Sequence, residues 1–175
     1  MRRIAIIGCS GAGKSTLALA LADRLGLPVV HLDRLFWKPG WVESTHAEFE
    51  DRQRAALPKD GAWIADGNYG STLDLRFALA DTIIFLDLPT SVCLWRIVAR
   101  RFSRGPRPDM APGCSEQLEV EFLRYVMRWR RERRPAVVAR LAELAAEGKR
   151  VITLTSQADV DELRAGYLPR WAKGT

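Results

Sequence analysis

The chain of 175 residues has the length of one globular domain and can bury a core without disulfides or a structural metal. Its composition, 47% hydrophobic and 27% charged, is that of an ordinary folded protein and excludes the disordered, fibrous and membrane-embedded classes. No apolar run approaches the roughly 18 residues that a membrane span requires, so no membrane partner is expected.

The positive charge is concentrated in one part of the chain. Residues 96–134 contain eleven arginines, no lysine and five acidic residues, which equals the net charge of +6 for the whole sequence. A local cationic surface of this kind suits a phosphate-rich small molecule and a nucleic acid equally well. The charge count alone does not choose between these two partners.

The cysteines and the N-terminus bear on the compartment. Cys9, Cys93 and Cys114 form no C-x-x-C pair, and with the two histidines they complete no zinc set at the usual spacings. The apolar run near the start ends at Gly8, which is too early for the core of a secretory signal. We therefore expect a cytoplasmic protein in a reducing environment.

The first predicted elements are a strand, a loop and a helix. Residues 4–7 are a short β-branched run that ends at glycine, as in a buried parallel strand. Residues 14–25 carry leucines at helical spacing and end before Gly26 and Pro28. A strand over 29–32 and a helix over 47–57, capped by Ser44 or Thr45, are predicted next.

The second half alternates in the same way. Three further strands are predicted, over 62–65, 82–86 and 151–154. Helices are predicted over 90–102 and 158–165, and a long helix capped by Ser115 is interrupted or kinked by Pro135. This order predicts an α/β fold, with a five-stranded parallel sheet and helices on both faces, in one domain over residues 1–175. Ligands of such folds bind at the carboxyl ends of the strands.

A glycine-rich loop follows the first predicted strand. Residues 8–15, GCSGAGKS, match the pattern G-x-x-x-x-G-K-[ST]. In this pattern the backbone N–H groups surround phosphate oxygens at a helix N-terminus, the lysine adds a positive charge, and the serine hydroxyl can join the coordination of Mg²⁺. The alternative is a turn that merely joins strand to helix. Cys9 is interpreted as a filler residue of the loop, and the alternative for it is a redox-active or nucleophilic thiol. The candidate ATP-binding residues are Gly8, Ser10, Gly11, Ala12, Gly13, Lys14, Ser15 and Thr16.

The spacing of later motifs resembles the adenylate kinase and nucleoside monophosphate kinase superfamily, and most closely its bacterial branch of DNA topology modulation (FlaR-type) proteins. The resemblance covers nearly the whole chain. It implies a three-layer P-loop NTPase fold with a small lid, and ATP and Mg²⁺ as cofactors. The motifs that carry it are HLD at 31–33, WKPGW at 37–41, DGNY at 66–69, LDLP at 86–89 and RPDM at 107–110.

The third predicted strand ends where this superfamily has an aspartate that helps to hold Mg²⁺ through water. Asp66 and Gly67 match that segment, whereas Asn68 and Tyr69 depart from it. The resemblance therefore makes Asp66, with Ser15, a candidate metal ligand. The arginine expected shortly afterwards is missing, and Arg76 is the substitute candidate for a phosphate ligand. The alternative is that Asp66 only caps a turn.

Two sets of arginines resemble those of the kinases. Arg96 and Arg100 lie one helical turn apart, and the resemblance implies that Arg96 lies near the base and Arg100 near the phosphates. A lid-like insertion over about 103–131 follows, in which Arg124, Arg128 and Arg131 form a basic stripe. Closure of this stripe over ATP would exclude water and supply charge to the phosphoryl group. The alternative for both sets is a solvated basic helix face.

Asp33 stands where related kinases place an acid that orients or deprotonates the acceptor hydroxyl, and it is a candidate catalytic residue beside Lys14 and the arginines. The alternative is a turn or cap aspartate. His31 is interpreted as a strand residue with a satisfied side chain. Trp37 and Trp41 line an acceptor pocket or belong to the core.

Three functions from different classes remain open at this point. The first is an ATP-dependent phosphotransferase that acts on a nucleotide, a nucleoside or another hydroxyl compound. The second is a nucleic-acid-associated ATP-binding regulator, which the name of the FlaR-type branch implies, although no helix-turn-helix or zinc finger is present. The third is a slow ATPase. A monomer and a homodimer are both compatible with the sequence.

Overall fold

A central parallel sheet organises the computed structural model, which describes residues 1–101 and 120–166. The strands are β1 (Arg3–Gly8), β2 (Val29–His31), β3 (Trp37–Lys38), β4 (Val42–Glu43), β5 (Trp63–Asp66), β6 (Thr82–Leu86) and β7 (Arg150–Leu154). Five of them form the parallel sheet in the order β2, β5, β1, β6, β7, and β3 and β4 form a separate antiparallel hairpin.

Helices flank the sheet and supply most of the remaining core. They are α1 (Lys14–Leu25), α2 (Leu32–Phe36), α3 (His46–Ala56), α4 (Leu73–Leu79), α5 (Thr90–Arg101), α6 (Val120–Glu132), α7 (Arg134–Ala146) and α8 (Gln157–Arg164), with a 3-10 turn at Gly70–Thr72. The central strands β1 and β6 are buried along almost their whole length, as expected for strands covered on both faces. No helix in the described parts of the chain combines the length and apolarity of a membrane span.

The predicted fold class is confirmed, and most predicted elements agree with the structure to within one or two residues. The capping prediction is confirmed at Thr45, whose side chain accepts from the backbone of Glu48 in a capping box. Pro135 lies in the first turn of α7, so the predicted interruption falls between α6 and α7. Helices α2 and α4 and the β3–β4 hairpin were not predicted, because each is too short to set up a clear period.

The predicted lid is only partly within the described residues. The loop over 103–114 and the cap at Ser115 lie outside them, so these remain predictions. From residue 120 onward the segment is helix α6, which packs Val126 and Trp129 into the core. The ring of Trp129 lies 6.1 Å from that of Phe85 on β6, so this part of the segment is joined to the sheet.

Candidate active site

A large cavity opens at the carboxyl ends of the central strands and has a volume of about 1430 Å³. The loop between β1 and α1 forms one wall, and the segments after β2 and β5 form a second. Helices α5, α6 and α7 supply the remaining wall. The cavity therefore lies at the edge of the sheet where α/β folds bind their ligands.

The glycine-rich loop has the conformation that its sequence predicts. Gly8 has φ 146° and Gly11 has φ 80°, a region that favours glycine. A Cβ at Gly8 would lie 2.6 Å from the carbonyl oxygen of Leu86, and one at Gly11 would collide with the carbonyl of Cys93. The loop is therefore packed tightly against β6 and α5, and larger side chains are excluded at both positions.

The N-terminus of α1 is suited to an anion. Its N-cap, Gly13, makes no side-chain capping bond, and the first turn carries no acidic residue. By contrast, α3 and α8 each begin with a capping box that ends in an acidic side chain. The first-turn amides and the positive end of the helix dipole at α1 thus face the cavity without a carboxylate of their own, which fits a polyphosphate.

Three basic side chains lie around this loop. The Nζ atom of Lys14 donates to the carbonyl of Cys9 at 3.1 Å, and Nη1 of Arg96 donates to the carbonyl of Ala12 at 2.9 Å. Arg96 also bonds the side chain of Gln157 on α8. Arg96 is therefore placed against the loop itself, and Arg100, one turn further along α5, also lines the cavity.

Asp66 lies at the end of β5 and is held by a histidine from the neighbouring strand. Its Oδ1 atom lies 2.7 Å from Nδ1 of His31, and both residues are buried. Asp66 and Ser15 line the same cavity. Among residues 1–101 and 120–166, no three His, Cys, Asp or Glu side chains cluster to hold a metal by themselves. A serine hydroxyl and one carboxylate fit Mg²⁺, which takes few protein ligands beside phosphates and water.

Asp33 faces the cavity from the start of α2 and is positioned by a tyrosine. The Tyr69 hydroxyl donates to Oδ1 of Asp33 at 2.6 Å. Burial and the neighbouring carboxylate raise the pKa of Tyr69 well above its usual range, so the phenol stays protonated and remains a donor. Sequence reasoning placed Tyr69 in a motif but did not assign it this contact, because 36 residues separate it from Asp33.

Arg76 does not take the place of the missing phosphate arginine. Its side chain is 1% exposed and donates to the Gln53 side chain at 2.8 Å and to the carbonyl of Asn68 at 3.0 Å. Burial lowers its pKa to about 10. Arg76 therefore stabilises the loop after β5 from within the core and does not line the cavity. The expectation of a phosphate ligand at this position is wrong for this structure.

Several predicted residues do not line the cavity. Arg128 and Arg131 are exposed on α6, and Arg128 faces Glu132 at 3.9 Å, so the structure does not bring them to the candidate site. The reason is that α6 buries Val126 and Trp129 and turns the other side of the helix to solvent. Gly8 and Ala12 are buried beneath the loop surface, where they shape the loop.

Other cavity residues were missed by sequence reasoning. Arg133 and Arg140 line the cavity together with Ala136 and Val137. Spacings of three, four and seven residues place these four on one face of α7. This periodicity is a signal in the sequence that could have grouped the four residues. Whether their face of the helix turns toward the cavity depends on the break between α6 and α7, whose geometry the sequence does not define. Arg133 forms no ion pair within the described part of the chain, whereas Arg140 bonds Asp74 at 3.0 Å.

Cys9 is buried within the glycine-rich loop, and its thiol is hydrogen-bonded to that of Cys93 on α5. This bond, with Lys14 and Arg96 nearby, lowers the pKa of Cys93 to about 7 and raises that of Cys9. Both thiols are free and buried, so Cys9 packs the loop against α5.

The fold has clear counterparts among solved structures, whereas no family model matches the chain. Shikimate kinase from Acinetobacter baumannii in complex with shikimate has a TM-score of 0.56 at 21% identity, over 95% of this chain and 90% of that chain. A gluconokinase from Sinorhizobium meliloti 1021 has a TM-score of 0.55 at 17% identity, over 94% and 87%. Deoxyadenosine kinase from M. mycoides with bound dATP has a TM-score of 0.53 at 15% identity, over 94% and 96%.

These identities establish the fold alone, which is that of the P-loop kinases. A nearer relative in sequence is the uncharacterized protein YqaC of Bacillus subtilis (strain 168). It is 32% identical over an alignment of 133 positions that covers 71% of this chain and 70% of that protein. The chain therefore belongs to the family of Bacillus subtilis YqaC, with the fold of the P-loop kinase superfamily.

Proposed function

We propose that the protein is an ATP-dependent kinase that transfers the γ-phosphoryl group of ATP to a hydroxyl group of a small acceptor. One observation carries this proposal. A single cavity brings together the glycine-rich loop with Lys14, the arginines of α5, and the carboxylates of Asp33 and Asp66. Phosphoryl transfer requires such a combination of phosphate binding, positive charge and an acid that orients the acceptor.

The loop half of the cavity is the proposed ATP site. Backbone amides at the start of α1 would surround the β and γ phosphates, and Lys14 would leave the Cys9 carbonyl to reach them. Ser15 and Asp66 would hold Mg²⁺, which neutralises charge on the phosphates when bound. Arg96 is already fixed against the loop by Ala12, so it needs little rearrangement to face the nucleotide.

Asp33 is the proposed acid of the acceptor half. A catalytic carboxylate must lie within hydrogen-bond reach of the hydroxyl that it orients. The bond from Tyr69 limits the rotation of Asp33 and directs it into the cavity. In this proposal Asp33 accepts the proton of the acceptor hydroxyl while that oxygen attacks the γ-phosphorus, the bond from the γ-phosphorus to the β–γ bridging oxygen breaks, and ADP leaves.

In this proposal Arg133, rather than Arg128 and Arg131 as the sequence predicts, stabilises the transition state. Arg133 lines the cavity that the glycine-rich loop also lines, and its guanidinium group would offset charge on the transferring phosphoryl. The proposal keeps one domain over residues 1–175 and a lid within about 103–131 that excludes water from this reaction.

The decisive experiment incubates the protein with Mg²⁺ and ATP and a panel of hydroxyl compounds and detects phosphorylated products by mass spectrometry. We expect one class of acceptor to gain a single phosphate. Lys14→Ala should abolish the transfer, and Lys59→Ala, at an exposed position outside the cavity, should not. Calorimetry that detects no magnesium-dependent binding of ATP to the folded protein would refute the proposal.

A second candidate function is favoured by the exposed basic surface of α6. Arg128 is 69% exposed outside the cavity, and its ion pair with Glu132 is long at 3.9 Å. Such a surface suits DNA phosphates and the regulatory role that the FlaR-type branch implies. DNA affinity that falls steeply with salt and is lost in an Arg128→Ala, Arg131→Ala double variant, but kept in Arg96→Ala, would favour this function. Release of phosphate without any acceptor product would instead indicate a slow ATPase.

A further inference from the structure

The β3–β4 hairpin presents a distinct surface to the cavity. Trp37 pairs with Glu43, and Lys38 pairs with Val42, so each pair shares one face of the hairpin. Trp37 and Glu43 line the cavity together with Trp41 from the connecting turn. The two indole rings meet edge to face with centroids 5.0 Å apart. The hairpin thus contributes two half-buried aromatic rings and one exposed carboxylate to a cavity wall.

The hairpin is anchored from its other face. The Lys38 ammonium donates to both carboxylate oxygens of Glu48 on α3, at 2.9 and 2.8 Å. At the base, the Ser44 hydroxyl donates to the carbonyl of Phe36 at 2.7 Å, and Arg52 donates to the Ser44 hydroxyl at 3.0 Å. These bonds hold the hairpin in one place, so its cavity face is a preformed surface.

Trp41 occupies a backbone conformation that normally belongs to glycine. Its φ is 62°, in the left-handed region that residues with a side chain rarely adopt. A side chain in this conformation costs about 1 to 2 kcal/mol. A tryptophan kept at this strained position, lining the cavity and packed on Trp37, suits a recognition surface for a flat ligand.

The charges near this surface are negative. Asp33 and Glu43 line the cavity on this side, and Glu43 has no ion pair within the part of the chain that the structure describes. The cavity's positive charge lies on its other walls. Lys14 and Arg96 bond the loop, Arg100 and Arg133 belong to the walls formed by α5 and by the start of α7, and Arg140 pairs with Asp74 and with Glu143 at 2.8 Å. An acceptor with a phosphate or carboxylate group at the hairpin would be repelled.

We infer that the hairpin selects an uncharged acceptor, a hydroxyl-bearing ring compound such as a nucleoside or a sugar, and rejects its phosphorylated or carboxylated counterpart. This inference rests on the proposed kinase function and specifies its substrate class. The indole faces of Trp37 and Trp41 contact the flat face of the ring, and Asp33 and Glu43 accept hydrogen bonds from its hydroxyl groups.

The test is a titration followed by tryptophan fluorescence, with a non-hydrolysable ATP analogue and Mg²⁺ present to fill the nucleotide site. The probes are matched pairs: thymidine with thymidine monophosphate, and glucose with glucose 6-phosphate and with gluconate. The nucleoside and sugar arms distinguish the two sources of an uncharged ring. We expect saturable binding in at least one arm, about tenfold weaker or absent for the anionic partner.

Two hairpin variants, each with a matched control, make the result specific to the hairpin. Trp41→Phe should weaken binding and reduce the fluorescence change, whereas Trp95→Phe, at a 70% exposed position on α5 outside the cavity, should leave both unchanged. Glu43→Lys should reduce the preference for the uncharged partner by about two- to fivefold. Glu162→Lys makes the same charge change on the exposed surface of α8 and should not alter the preference.

The outcomes separate this inference from the proposed function. Binding of only the anionic partners, or of no probe, overturns the inference, and so does an unchanged preference in Glu43→Lys. Phosphoryl transfer to an anionic acceptor would overturn the inference and leave the kinase proposal intact. Binding of an uncharged probe by a protein that transfers no phosphate would overturn the kinase proposal and leave the selectivity of the hairpin for uncharged rings intact.

Discussion

Nδ1 of His31 lies 2.7 Å from Oδ1 of Asp66, and the two residues are direct partners in the register of β2 and β5. The histidine was interpreted as an ordinary strand residue, and it is indeed buried and bonded. Its partner, however, is the candidate metal-binding carboxylate. The contact gives His31 a positioning role, since a fixed carboxylate binds a cation or its water shell better than a rotating one.

Replacement of His31 should therefore change the magnesium requirement. We expect His31→Ala to raise the Mg²⁺ concentration for half-maximal ATP turnover by about tenfold or more, because outer-shell partners of metal ligands have effects of this size. Maximal binding of ATP at saturating Mg²⁺ should change less. His46→Ala is the control, because that side chain is exposed on α3. If ATP turnover in the two variants depended on the Mg²⁺ concentration in the same way, His31 would have no positioning role.

An ion pair between a half-buried arginine and a buried aspartate joins α7 to the end of β6. Arg134 donates to both oxygens of Asp87, with Nε–Oδ1 at 2.8 Å and Nη2–Oδ2 at 2.6 Å, and Asp87 is 5% exposed. Arg134→Met should lower the free energy of unfolding by about 1 to 3 kcal/mol, because the buried carboxylate loses its close bonds and keeps only the contact with Arg130 at 3.8 Å. Arg54→Met breaks an exposed pair with Glu50 and should cost about 0.5 kcal/mol or less. Urea unfolding measures both, and similar losses would contradict the prediction.

At Trp41 we expect glycine to be a more stable replacement than alanine, which is the opposite of the usual order. Trp41→Gly and Trp41→Ala both remove the indole ring, but only glycine adopts φ 62° without strain. We expect the glycine variant to be more stable than the alanine variant by about 1 kcal/mol in denaturant unfolding. At Val42, in the neighbouring strand, the same pair of substitutions should give the opposite order. The same order at both sites would show that Trp41 is unstrained.

The Lys38–Glu48 contact predicts a loss of stability in acid. The Lys38 ammonium, with Thr45, lowers the pKa of Glu48 to about 2 from an ordinary value of 4.5. Between these values the unfolded chain binds more protons than the folded protein, so stability falls as the pH drops from about 4.5 to 2. Glu48→Gln should make this dependence shallower, whereas Glu162→Gln on α8 should not. The check is the thermal unfolding midpoint, measured as a function of pH over this range. The same slope of midpoint against pH in the parent and in Glu48→Gln would contradict the prediction.

The glycine-rich loop and the sheet were predictable because their signals are local. Residues 8–15 contain the whole phosphate-binding pattern, and α1 runs from Lys14 to Leu25 as its leucine spacing predicts. Parallel strands such as Thr82–Leu86 appear as continuous apolar runs, since both faces are covered. No information from distant parts of the chain is needed for any of these.

The composition of the cavity walls depended on tertiary structure. Whether an arginine after residue 120 meets the cavity depends on which face of its helix is buried, and the packing of Trp129 turns Arg128 outward while the break before α7 turns Arg133 inward. The contacts of Asp33 with Tyr69 and of His31 with Asp66 join residues 36 and 35 positions apart. Such pairs are determined by strand register and chain reversal, which no short stretch of sequence contains.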